Sequence, residues 1–404
     1  MQESPYYASP QREFLTQPEM LALYKAKSSL KIGIPKETML MENRVALVPA
    51  SVTNLVARGH QVILESDAGK KAHYSDRDYS EAGARISHDK KEVFECDILL
   101  KVAPPSLEEL QLFHPSQVLI SPLHLPVITN EYIQILRQKR VTAIAMEYLQ
   151  ADDGTFPLVR IMSEIAGISV VQTAAELLSN PIHGKGLLLG GISGVPPAKV
   201  VILGAGVVAE FATRAALALG ASVRIFDDNI HKLIRIQNRI GRQMYTSSLN
   251  PVTLTQQLMT ADVVIGAIHS KTGRAPLLVS EEMVMQMKPG SVIIDVSIDQ
   301  GGCFETSQIT THDNPTRIIH GVIHYCVPNI PSKVARTASI GVSNIITTVL
   351  QEAGDTGSFD HLIYQHKGLR NGIYTYKGCL TNEYLSQRFG IKYTHLDLLL
   401  TSTI

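Results

Sequence analysis

The sequence predicts an α/β protein made of two doubly wound Rossmann-like domains with a cleft between them. Three observations carry this expectation. Residues Lys199–Asp228 read without interruption as strand, glycine turn, helix and strand, a complete βαβ unit. Strand and helix patterns also alternate before that unit, over residues 31–150, and after it, over residues 261–327. The chain has 404 residues and 45% hydrophobic content, enough for roughly two to three domains of about 150 residues with sizeable cores.

Taken in order, residues 1–30 are polar and hold three prolines, which reads as an appended arm with a short helix near Pro18–Lys27 behind Thr16. KIGIPKE from Lys31 is a strand ending in a proline turn. ENRVALVPASVTNLVARGHQVILES gives a helix stopped near Gly59 and a second strand. A helix at Asp78–Gly83 follows, then strands at Asp97–Val102, Val118–Ser121 and Thr142–Ala145. Met162–Ser179 is a long helix pattern suited to linking two domains, with a boundary near residue 160. Beyond Asp228, strands are expected at Ala261–Ile268, Gly290–Ile298 and Val322–Val327. A helix over residues 329–354 then crosses back to the first domain, and the tail holds a helix and a short strand pair.

Within the βαβ unit, Gly204, Gly206 and Ala209 stand in G-x-G-x-x-A spacing after the apolar run Val200–Leu203 and before the helix pattern Glu210–Leu219. Gly204 permits the tight turn, Gly206 lets a pyrophosphate approach the helix N-terminus, and Ala209 allows close packing. Asp227 follows the second strand, Ser222–Phe226, at the distance (about 20 residues) where a carboxylate meets an adenosine ribose. Asp228 competes for that role, but strand alternation sends the two side chains to opposite sides. The cofactor-binding candidates are therefore Gly204, Gly206, Val207, Val208, Ala209 and Asp227, with NAD favoured over NADP; the bland alternative is a tight turn with no ligand.

Composition narrows the partners. Net charge is zero, from 37 basic and 37 acidic residues without long basic runs, which argues against nucleic acid or a membrane surface. No signal-peptide pattern and no unbroken apolar run of membrane length are evident, so a cytoplasmic protein is expected. Cys96, Cys303, Cys326 and Cys379 lack metal spacing, and His320 and His324, four apart, lack the glutamate of a zinc motif; neither disulfide nor metal is expected.

Four further residues stand out: Arg44 in ENRVAL, Lys101 ending DILLKV, His124 after VLIS, and Asp299 in VIIDVSIDQGG. Three lie at or just past a strand C-terminus, the edge where open α/β sheets bind ligands. Singly, each has a plain structural explanation as a surface cation, a snorkelling lysine, a loop histidine or a turn former. Together, a guanidinium, an ammonium, a group titrating near neutrality and a carboxylate suit an amino or keto acid beside a nicotinamide.

KIGIPKE…ENRVALVPASV, DILLKV, LHL, MEYL, MSEIAG, GKGLLLGGISGVPPAKVVILGAGVV, VIIDVSIDQGGCFETS and HYCVPNIPSKVARTAS, in that order, resemble the alanine dehydrogenases from about Lys31 to the end of the chain. The soluble N-terminal part of proton-translocating nicotinamide nucleotide transhydrogenase is a relative that lacks the DQGGC and HYCV stretches in this form. The resemblance implies oxidative deamination of L-alanine to pyruvate and ammonium, and the reverse. It implies a substrate domain of residues 31–159 and 331–404, interrupted by an NAD domain of residues 160–330, and a homo-oligomer, commonly a hexamer. On this resemblance Arg44 and Lys101 hold the substrate, Asn329 lies near substrate and nicotinamide, and His124 and Asp299 handle protons. Ser163, Asp227 and Asp299 are cofactor contacts. The chain departs from the family in its arm, in KVAPP where the family has KVKEP, and in Pro122 where an aromatic is usual, which bears on pocket shape. A transhydrogenase-like NAD(H)-binding subunit and a non-catalytic NAD sensor are the rival readings; turnover with NAD and L-alanine separates all three.

Overall fold

The computed structural model describes residues 29–39, 41–270 and 273–401. The helix expected near Pro18–Lys27 lies outside the described residues. The strands run β1 (Lys31–Ile34), β2 (Gln61–Glu65), β3 (Arg85–Ser87), β4 (Ile98–Leu100), β5 (Val118–Ser121), β6 (Thr142–Ala145), β7 (Lys199–Leu203), β8 (Ser222–Phe226), β9 (Tyr245–Ser247), β10 (Val263–Gly266), β11 (Val292–Asp295), β12 (Thr316–Ile319), β13 (Val322–Tyr325), β14 (Ile373–Tyr376) and β15 (Cys379–Leu380). They form two sheets, ordered β15-β14-β6-β5-β4-β1-β2-β3 and β12-β13-β11-β10-β7-β8-β9. Pairing is parallel except at the edges, where β14 runs against β6, β15 against β14 and β12 against β13.

Strand alternation fills a core on each face of each sheet. Ile32 and Ile34 of β1 and Ile98 and Leu100 of β4 join one core, while Leu99 joins the other. In the second sheet Val200 and Ile202 pack on one side and Val201 and Leu203 on the other. Each such buried side chain contributes about 1.5–3 kcal/mol, and burial on both faces is why these strands read as continuous apolar runs. The order reverses between β4 and β1 in the first sheet and between β10 and β7 in the second. These are the switch points where loops diverge and leave a crevice.

Two long helices join the halves. The first, Pro157–Ser179, begins earlier than the expected Met162 because Pro157 occupies its first turn, where a missing N–H is tolerated. Its length and apolar composition match a membrane span, contrary to the sequence expectation, but 44% of the qualifying window is buried in the protein. Its central Gly167 is what lets the helix Val207–Ala218 pack on it: a Cβ there would lie 2.5 Å from the Val208 carbonyl oxygen. The second long helix, Ala335–Thr356, follows a short 3-10 turn at Ile330–Val334 and crosses back to the first sheet's core through Val342, Ile346 and Leu350.

Elsewhere the elements are shorter than the sequence suggests, or shifted along it. DILLKV contributes only Ile98–Leu100, leaving Lys101 just beyond the strand. The helix expected at Asp78–Gly83 is Asp76–Glu81, started by a capping box between Ser75 and Asp78. GSVIIDVSI ends as a strand at Asp295, whose carboxylate accepts the Ser297 N–H and turns the chain into the 3-10 segment Val296–Gln300.

Candidate active site

The glycine turn lies at the second sheet's switch point. Gly204 has φ +107°, and a Cβ on it would lie 2.4 Å from the Ala267 carbonyl oxygen on the neighbouring chain, so only glycine fits. Gly206 differs: its φ is ordinary and a Cβ would meet nothing within 4 Å. Open space there, rather than strain, is what its small size keeps. Gly206 is the N-cap of the helix Val207–Ala218, which starts earlier than the expected Glu210 and has no side-chain cap. The first N–H groups, including those of Val207, Val208 and Ala209, are thus left for an anion. Ala209 is fully buried. Asp227, buried at the end of β8, accepts the Ala205 N–H at 2.8 Å and the Asn229 N–H at 2.8 Å, which fixes it against the turn. Asp228 points to solvent. An uncapped helix start, an open Gly206 and a carboxylate at the second strand end fit a dinucleotide.

Arg44 lies in the loop after β1, and the second long helix, with the 3-10 turn that precedes it, holds that loop in place. Ser332 Oγ accepts the Asn43 N–H at 2.9 Å, Ser339 Oγ the Val45 N–H at 2.9 Å, and Ser343 Oγ the Val48 N–H at 3.0 Å. This ladder of serines supplies the acceptors that a non-regular buried backbone needs. It explains the serines in SKVARTASIGVS, which have no sequence-level reason to recur. The Arg44 guanidinium is bound in turn by Glu42: Nε donates to Oε1 at 2.8 Å and Nη2 to Oε2 at 2.6 Å.

Arg44, His124 and Asp299 converge on one cleft. All three line two adjoining recesses of about 400 and 410 Å³, together with Val102 and Pro122. Ser163, Met162 and Val208 complete the first recess and Glu42 and Asn329 the second. The cleft is therefore walled by the loops after β1, β4 and β5 on one side and by the helix start after β7 and the turn after β11 on the other. His124 has φ +41°, a conformation that costs a non-glycine residue about 1–3 kcal/mol. The strain is held by Glu147, whose Oε1 accepts the adjacent Leu123 N–H at 2.8 Å.

Asp299 keeps accessible surface toward the cleft, but the surrounding protein raises its pKa above the usual carboxylate range by desolvation. The Asn329 N–H, which reaches Asp299 Oδ1 at 3.3 Å, and the positive charges of His124 and Arg44 act in the opposite direction. Asp299 thus senses charge at His124, and a positive charge there favours the ionised carboxyl.

Lys101 is not among the residues lining either recess. Its Nζ is 3.2 Å from Glu37 Oε2 and 3.2 Å from Glu109 Oε2, and its side chain is 1% exposed. Burial raises Glu37 to about 7, against the pull of Lys101, while Lys101 and Lys90 hold Glu109 below its ordinary value despite its burial. Val102, next in sequence, gives its N–H to Glu37 Oε1 at 2.6 Å and turns its own side chain into the cleft.

Sequence reasoning missed Glu42 and Glu147. Glu42 had a signal, a carboxylate two residues from an arginine inside an otherwise apolar motif. Glu147 had none beyond its place in MEYL. Burial raises its pKa, and its Oε2 is buried without a hydrogen-bond partner. The cysteines, by contrast, are free, and three are buried. His324 bonds Thr306 Oγ1 at 2.8 Å and the Val322 carbonyl, while His320 meets Glu281 at 2.6 Å, so the two histidines have separate partners.

Comparison with known proteins gives the chain a family. Residues 33–166 match the alanine dehydrogenase/PNT N-terminal domain and residues 170–383 the alanine dehydrogenase/PNT C-terminal domain. Alanine dehydrogenase of Bacillus subtilis (strain 168) is 42% identical over 363 residues, covering 90% of this chain and 95% of its own. That of Staphylococcus epidermidis (strain ATCC 12228 / FDA PCI 1200) is 40% identical over 369 residues, 91% of this chain and 99% of its own. A solved L-alanine dehydrogenase superposes with a TM-score of 0.82 at 38% identity, covering 88% of this chain and 98% of its own. A transhydrogenase from Sinorhizobium meliloti shares the fold, with a TM-score of 0.75 at 24% identity over 87% of this chain and 99% of its own. By its matched domains, by these relatives and by its two facing α/β domains, the chain belongs to the alanine dehydrogenase/PNT family.

Proposed function

We propose that this chain catalyses the NAD-dependent, reversible oxidative deamination of L-alanine to pyruvate and ammonium. The observation that carries the reading is the convergence of Arg44, His124 and Asp299 on one cleft whose far wall includes Val208 at the start of the glycine-turn helix. Family membership supports a nicotinamide cofactor, and Asp227 supports NAD in particular, since its carboxylate repels a 2′-phosphate. Residues 31–159 and 331–404 form the proposed substrate domain and residues 160–330 the NAD domain. A homo-oligomer, a hexamer by resemblance, is part of the proposal on the strength of that resemblance.

In this reading the helix start at Val207–Ala209 holds the pyrophosphate, Asp227 the ribose, and Ser163 and Asp299 the nicotinamide end. A bound nicotinamide would supply the hydride acceptor for the substrate's α-hydrogen. The remaining work belongs to the chain. Arg44 presents the edge of its guanidinium not used by Glu42 to the substrate carboxylate. His124 removes a proton from the water that adds to the imino acid and returns one to the departing amine. Asp299 stabilises the imidazolium by its charge, and Asn329 keeps Asp299 in position. The proposed contact of Lys101 with the substrate requires its ammonium to turn from Glu37 or Glu109 toward the cleft. Mixing purified protein with NAD and L-alanine at alkaline pH and following the absorbance of the reduced cofactor tests the reading; no reduction on the time scale of minutes contradicts it.

A further inference from the structure

The loop that carries Arg44 also carries a buried carboxylate that the chemistry above does not use. Glu42 has a side chain 4% exposed and accepts four hydrogen bonds. Oε1 takes the Arg44 N–H at 3.0 Å and Nε at 2.8 Å; Oε2 takes Arg44 Nη2 at 2.6 Å and Asn329 Nδ2 at 3.0 Å. Three of these tie it to one arginine. The fourth crosses from the first domain's loop to the segment after β13, where the Asn329 N–H in turn meets Asp299 Oδ1 at 3.3 Å. A continuous chain therefore runs from Arg44 through Glu42 and Asn329 to Asp299.

A guanidinium has two edges that can grip a carboxylate in parallel. Glu42 occupies the Nε/Nη2 edge, and Arg44 Nη1 points to Met162 Sδ at 3.2 Å, on the wall of the first recess. With one edge fixed, the rotamer freedom of a long side chain is already spent, and the other edge faces the cleft in one orientation.

We propose that Glu42 is a positioning residue that aims the free edge of Arg44 at the substrate carboxylate and couples that aim, through Asn329, to Asp299. The proposal rests on the dehydrogenase reading. It predicts that Glu42 acts chiefly through Arg44, with a larger effect on the substrate than on the cofactor. Glu42→Gln keeps the volume, but its amide turns a donor toward Arg44 or Asn329 and loses the charge. Its KM for pyruvate should rise by about 10- to 100-fold, as expected for a misaimed contact, while the Kd for NAD, held by the other domain, stays within about twofold.

The test measures KM and kcat for pyruvate, NAD affinity and melting temperature for full-length wild type, Glu42→Gln, Arg44→Lys and the double variant. Coupled residues are non-additive, so the double variant should have a KM no higher than Arg44→Lys alone. Glu42→Asp, which keeps the charge and draws the carboxylate back by one methylene, should show an intermediate KM and serves if the glutamine variant does not fold. A Glu42→Gln or Glu42→Asp enzyme with wild-type KM, or effects of Glu42 and Arg44 that multiply, overturns the positioning role even if thermal stability falls. A wild-type chain that neither reduces NAD with alanine nor binds pyruvate instead removes the dehydrogenase reading, and the inference with it.

Discussion

Asp227 Oδ2 accepts the backbone N–H of Ala205 at 2.8 Å, which joins the end of the second strand of the dinucleotide unit to its glycine turn. The same carboxylate is therefore both an anchor of the loop and the candidate ribose ligand. Asp227→Asn keeps one acceptor oxygen for the Ala205 N–H while removing the charge that excludes a 2′-phosphate. The ratio of kcat/KM with NAD to that with NADP should fall by about tenfold or more, a change of at least ~1.4 kcal/mol. Steady-state kinetics with both cofactors checks it, and an unchanged ratio would remove Asp227 from the ribose site.

Gly204 and Gly206 are expected to fail in different ways. Alanine at Gly204 meets a carbonyl oxygen and a left-handed backbone, so it should cost about 1–3 kcal/mol from the backbone alone and lower the melting temperature. Alanine at Gly206 enters open space without strain. Its melting temperature should stay near wild type while NAD affinity falls, because the added methyl stands where the pyrophosphate approaches. Melting curves with and without NAD on both variants decide between these outcomes.

The Glu37, Lys101 and Glu109 cluster predicts a pH signature. Burial raises Glu37 from its ordinary 4.5 to about 7. Between those values the folded chain holds a proton that the unfolded chain has lost, so this group's contribution to stability declines as pH rises through the window. Lys101, raised from 10.5, loses its contribution only above that value, and Glu109, lowered from 4.5, only below it. Glu37→Gln should therefore flatten the dependence of melting temperature between pH 4.5 and 7 relative to wild type, by roughly 2–4 °C per kcal/mol removed. Parallel curves for the two proteins would place the titration elsewhere. Lys101→Ala leaves the buried Glu37 without a cation, while Glu109 keeps Lys90 at 2.6 Å, and should cost about 3–5 kcal/mol. Its activity has meaning only per folded molecule.

The parts of this molecule that follow local rules were legible in the sequence. Parallel strands buried on both faces announce themselves as apolar runs, and Gly204, Gly206 and Asp227 keep a spacing set by one turn and one helix. The placement of His124 and Asp299 on the cleft was legible because both sit past strand ends. What was hidden depends on contacts distant in sequence. Ser339 and Ser343 hold the Arg44 loop from nearly three hundred residues away, and no periodicity reveals an acceptor for another segment's backbone. Lys101 read as a cleft cation because a lysine ending a strand usually reaches water; Glu37 and Glu109 make its burial possible. The early start of the helix Val207–Ala218 was missed because two valines are poor helix formers, and packing against Gly167 overrides that preference.

His124 carries the central claim, that one imidazole on the lip of this cleft moves the protons of the deamination. Turnover of His124→Ala with NAD and L-alanine, on protein shown by melting temperature and NAD affinity to be folded and cofactor-competent, tests it most directly. Loss of a general acid and base typically costs about 10²–10⁴-fold, and a loss of that size in kcat with NAD affinity unchanged is the predicted result. A folded, NAD-binding His124→Ala enzyme that deaminates alanine at near wild-type rate would contradict the account.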